Sequence, residues 1–142
     1  MSISVMLDAD ANLSRERAEE VLRACGAGGF TDQKYGFSAA FPQSGMPVYY
    51  TVVPAGQQPD LREMTSSSRP VFCTVSFKIL NSTYELCYAQ IFEVISSLQR
   101  SSPGHLVLSQ QRDYPLAVRD EAGLRFFKEH WPPSFAPLEK ST

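Results

Sequence analysis

The chain has 142 residues, enough for one domain with its own core and no need of disulfides. Thirteen Lys and Arg against fifteen Asp and Glu leave a net charge of -2, and no basic stripe stands out, which argues against nucleic-acid binding. Aromatic residues make up 11% of the chain, so the core is expected to rest largely on Phe and Tyr. Three cysteines, Cys25, Cys73 and Cys87, are odd in number, far apart and set in apolar surroundings. That pattern predicts reduced, buried thiols in a cytoplasmic protein. The N-terminal MSISVMLDAD has no basic start and meets acid early, unlike a signal peptide. No run approaches the ~18 apolar residues that a membrane span needs.

In chain order, Ile3 to Leu7 predicts a short strand. Ser14 is a good helix N-cap, and Ala18, Val21, Leu22 and Cys25 fall at i, i+3, i+4 and i+7, one face of an amphipathic helix. Gly26 is placed to end it, and Gly28-Gly29 to open a turn. Tyr35 to Phe41 alternates with period two, and Val48 to Val53 is β-branched and aromatic; together they predict a hairpin. Residues 54–70 carry little apolar pattern and predict a long loop, of the kind that is either functional or disordered. Val71 to Leu80 reads as a strand with Val71, Cys73, Val75, Phe77 and Ile79 on one face. Ser82-Thr83-Tyr84-Glu85 has the form of a capping box, and the helix after it places Tyr84, Cys87, Tyr88, Ile91, Ile95 and Leu98 on one stripe. Leu106 to Gln110 predicts another strand, and LAVRDEAGLRFF a hairpin with Gly123 in its turn. The tail, residues 131–142, is rich in proline and unsuited to regular structure.

This order predicts a single α+β domain over 1–142: a mixed, mainly antiparallel sheet with two helices packed on one face. The specific form expected is a ferredoxin-like core with extra strands.

Chemistry is sparsely marked. Asp8-Ala9-Asp10 ends an apolar strand, as the nucleophile motif of haloacid-dehalogenase-type phosphatases does. Yet no Thr or Val follows at Ala11-Asn12, and no later Lys and acidic pair stand on parallel βα units. The favoured reading is a strand-to-helix connection whose Asp and Asn cap turns. His105 and His130 are the only histidines, there is no Gly-x-Ser-x-Gly, and the Cys and His positions lack metal-ligand spacing. Gly26-Ala27-Gly28-Gly29 follows a helix, whereas phosphate loops precede one. No catalytic residue, metal or cofactor is therefore expected.

From Ser76 to Phe127 the chain runs as a strand SFKIL, a capped helix STYELCYAQIFEVISSLQR, a turn SSPGH, a strand LVLS and the hairpin LAVRDEAGLRFF. In length and layout this resembles the small cytosolic immunity proteins that bacteria pair with secreted toxins. The resemblance implies a non-enzymatic protein, monomer or homodimer, that binds a cognate toxin and occludes its active site. Acids around an aromatic anchor would suit that task. The candidate partner-binding residues are Asp60, Glu63, Asp113, Tyr114, Asp120, Glu121 and Trp131. Two other readings stand beside it: a small enzyme with a pocket of Tyr35, Tyr49 or Tyr50 with His105, and a homo-oligomeric module paired through a sheet edge.

Overall fold

The structure, a computed structural model, describes residues 3–54, 56–58, 69–111 and 113–133. Eight strands form one sheet: β1 (Ile3–Ala9), β2 (Gly28–Gln33), β3 (Gly36–Phe41), β4 (Met46–Val52), β5 (Cys73–Ile79), β6 (Leu106–Gln110), β7 (Tyr114–Asp120) and β8 (Gly123–Phe126). Helix α1 (Arg15–Ala24) follows β1, and α2 (Tyr84–Ser101) lies between β5 and β6. The strand order is β2-β3-β4-β5-β1-β6-β7-β8, and every neighbouring pair is antiparallel. The central four, β4-β5-β1-β6, with the two helices, make a ferredoxin-like core, extended by β2 and β3 on one edge and by β7 and β8 on the other. The β5-α2-β6 crossover does join two strands running the same way, but β1 is inserted antiparallel between them. No parallel neighbours result, so the sheet is not mixed.

Local chemistry explains the elements. The Ser14 hydroxyl accepts from the Arg17 amide at 3.2 Å, capping α1. At the other end Gly26, at φ +106, allows the amides of Gly26 and Ala27 to reach the carbonyls of Arg23 and Leu22, a Schellman closure. The capping box expected at Ser82 is absent. A 3-10 turn, Asn81–Thr83, precedes α2, and the Thr83 hydroxyl donates to the Ser44 carbonyl at 2.7 Å, tying the helix start to the β3–β4 turn. The largest miss is β2: Gly28-Gly29 starts a polar edge strand with an irregular register rather than opening a turn.

Period-two alternation sends one side of each strand under the helices. Directly opposite residues such as Val5 and Phe77, Leu7 and Leu108, and Phe37 and Tyr50 share that face and are at most 1% exposed. They close on Ala18, Val21 and Leu22 of α1 and on Ile91, Val94, Ile95 and Leu98 of α2, so both helices cover the same face. The opposite face is mainly small and polar around Ser4, Ser76, Thr74, Thr51 and Tyr49. At its β6–β7 end Val71, Val107 and Val118 form a second, small apolar cluster with Val53 and Phe127.

Candidate functional site

The Asp-x-Asp stretch lies at the C-terminal end of β1, and both carboxylates are committed to the fold. Asp8, on the polar face, accepts from the Thr74 hydroxyl of β5 at 2.7 Å. Asp10 is 4% exposed. One of its oxygens accepts from the Asn12 amide at 3.0 Å and the Asn12 side chain at 3.1 Å. The other accepts from the His105 amide at 2.8 Å and from Arg69 at 2.8 Å. Burial taken alone would raise its pKa, but these hydrogen bonds outweigh burial and hold the carboxyl below its ordinary value. Asp10 therefore staples three connections: the one leaving β1, the one entering β6 and the one returning to β5. Gly104 is required beside it, since φ is +115 there and a Cβ would lie 2.5 Å from an Asp10 oxygen.

Next to this staple is an open cleft of about 730 Å³, where α2 ends against the β7–β8 hairpin. Its lining includes Asn12, Arg69, Arg100, Ser102, Arg119 and Asp120. Arg119 follows from strand alternation: it shares the helix-side face with Ala117, so a charged side chain points at the end of α2. The helix carbonyls there carry the negative end of the dipole. Arg119 meets one of them, donating from Nη1 to the Leu98 carbonyl at 3.2 Å, and also donates from Nη1 to Gln99 Oε1 at 3.2 Å and from Nε to the Gly104 carbonyl, past the helix end, at 2.7 Å. Burial lowers the Arg119 pKa from its ordinary value, and the negative charge of Asp10 acts the other way.

The predicted partner-binding residues are not brought together. Asp113 and Tyr114 are exposed, Tyr114 at 55%, at the turn from β6 into β7. The Tyr114 ring lies 5.5 Å from that of His130, and His130 Nδ1 is 2.6 Å from the Pro115 carbonyl. Glu121 is exposed in the β7–β8 turn. Asp120 is corrected to a hairpin residue: it is 7% exposed, pairs with Arg125 at 2.9 Å and accepts from the Ala122 amide at 2.9 Å. Trp131 is likewise corrected to a core residue. It is 3% exposed, donates from Nε1 to the Leu116 carbonyl at 2.8 Å and packs edge-on against Tyr88 and Phe92. An aromatic on a proline-stiffened chain can bury more area against its own sheet than it exposes to a partner, and here it closes the β7–β8 side of the core. Asp60 and Glu63 lie outside the described residues, as do most of loop 54–70 and the tail beyond residue 133.

The tyrosine and histidine pocket does not form. Tyr49 and Tyr50 are consecutive on β4 and point to opposite faces; Tyr50 is buried with its hydroxyl on the Leu13 carbonyl at 3.1 Å. His105 enters β6, with β5 and β1 between it and β4. Tyr35 is in the β2–β3 turn at the far edge, 53% exposed. Among the described residues no group of three or more His, Cys, Asp and Glu could hold a metal ion, and no helix is long and apolar enough to cross a membrane. Sequence reading took Asn12 as a turn cap and Arg69 as one residue of the long loop that could carry binding, but missed Gly104 and Arg119; of these two, only Arg119 left a signal, as a charge in the apolar alternation of LAVRD. No family model, curated protein or solved structure matches the chain.

Proposed function

We propose that the chain is a non-enzymatic binding protein of the immunity type, which neutralises a cognate toxin by seating on it and covering its active site. The observation that carries this reading is the pair Asp113-Tyr114. It stands exposed on a turn between two strands of a rigid eight-stranded sheet. The turn is tight: the Asp113 amide donates to the Gln110 carbonyl at 3.0 Å, and Gln111 sits at φ 53. The contact with His130 restrains the Tyr114 ring before any partner arrives, which lowers the entropy lost on binding. An aromatic anchor with an adjacent acid suits a partner whose own site is basic. The same reading gives Asp8 and Asp10 a reason to be spent on the fold rather than on chemistry.

The test is capture followed by rescue. Tagged protein is recovered from its own cells, and any stoichiometric partner that survives high salt is expressed alone and with this chain. Growth arrest by the partner alone, relieved by the wild-type chain and not by Tyr114→Ala, is the expected result. A protein that emerges alone, or a partner that is harmless, overturns the proposal.

A further inference from the structure

Two N–H groups of Arg119 are left over among the described residues. A guanidinium has five N–H donors. Nε and Nη1 of Arg119 spend three of them on Gly104, Gln99 and Leu98, and Nη2 has no acceptor among the described residues. The side chain is half-buried, and its acceptors are two carbonyls and an amide, not a carboxylate. Nearby, Arg100 is exposed on the last turn of α2 and makes no ion pair among the described residues. Both line the same open cleft as Arg69, against a single lining carboxylate among the described residues, Asp120, which is already held by Arg125. Asp10 lies behind the cleft wall and is bound to Arg69. The cleft thus presents surplus positive charge, with unspent donors on a guanidinium fixed at three points, in a chain that is acidic as a whole.

We propose that this cleft binds an oxyanion-bearing ligand, a carboxylate or a phosphate, on Arg119 Nη2 with Arg100 at the rim. The site is independent of the partner reading, since it lies at the end of α2 while Asp113 and Tyr114 stand at the opposite end of β7.

The probes are inorganic pyrophosphate and a hexaglutamate peptide, titrated separately at low ionic strength into the full chain. The readout is the Arg119 Nε–H resonance, which its bond to the Gly104 carbonyl protects from exchange. A saturable shift is expected with at least one probe. The Arg100→Glu variant, changed at an exposed position, should weaken that affinity by at least about fivefold while unfolding at the wild-type temperature. Tighter binding of pyrophosphate assigns the cleft to a phosphate ligand, and tighter binding of hexaglutamate assigns it to an acidic protein segment. No saturable shift with either probe overturns the proposal. So does a shift that Arg100→Glu leaves unchanged, which would mark an adventitious ion only.

Discussion

Replacing Asp10 by alanine removes the acceptor for two backbone amides, one side-chain amide and one guanidinium at a position 4% exposed. The buried His105 amide is the costly orphan, at about 1–3 kcal/mol for a donor left without a partner. The Asn12 donors are exposed enough for water to replace part of their loss, and the Arg69 side chain is 47% exposed, so that ion pair adds no more than ~1 kcal/mol. Together these give a destabilisation of about 3 kcal/mol, a fall in Tm of roughly 10 °C for a chain of this size. The assay is urea or thermal unfolding followed by Trp131 fluorescence, run as a function of pH. Because the folded carboxyl sits below its ordinary value of 3.8, its contribution is complete above 3.8 and fades as pH falls through the folded-state pKa. The gap between wild type and Asp10→Ala should therefore be constant near neutrality and narrow below pH 3.8. A loss smaller than ~1 kcal/mol at neutral pH would refute the view that Asp10 is a structural staple.

Trp131→Ala should cost about 3–5 kcal/mol, since it empties a packed site and removes one of the two hydrogen bonds to the Leu116 carbonyl, which keeps that from the Phe127 amide; chemical denaturation followed by circular dichroism measures this. An exposed partner-binding tryptophan would instead change stability little. Thiol labelling should separate the cysteines. Burial raises the Cys25 thiol above its ordinary value and pushes Cys73 up to about 12, and Cys73 and Cys87 are fully buried. Native protein at neutral pH should thus label slowly at Cys25 alone, faster as pH rises, and at all three after unfolding. Rapid labelling of Cys73 in the native state would contradict the packing described.

The core was legible in the sequence because it is periodic. Val71 to Leu80 and the stripe Cys87, Ile91, Ile95, Leu98 each state one face of a regular element, and the two β-α-β units follow from their order. β2 was not, because GGFTDQ has one large apolar residue and takes its strand form from pairing with β3 rather than from its own pattern. The capping box failed at Ser82 because a 3-10 turn takes Asn81–Thr83 and the helix begins after it, with the Thr83 hydroxyl donating to the carbonyl of Ser44, which is 39 residues away in sequence. The cleft is more distant still, since Arg69, Asn12 and Gly104 come from three connections and Arg119 from strand β7, and these meet only in the fold. Asp120 and Trp131 misled because acid and aromatic residues look alike in sequence whether they face a partner or their own hairpin.

Tyr114 is the proposed anchor for a protein partner. The most direct measurement is the affinity of that partner, once captured, for wild-type chain and for Tyr114→Ala, with Tyr49→Ala as a control: another exposed tyrosine, at 41% against 55% for Tyr114, on the polar sheet face. A loss of roughly 30-fold or more for Tyr114→Ala, with Tyr49→Ala near wild type and both variants unfolding at the wild-type temperature, is the predicted result. Equal affinity of the wild-type chain and Tyr114→Ala would contradict it.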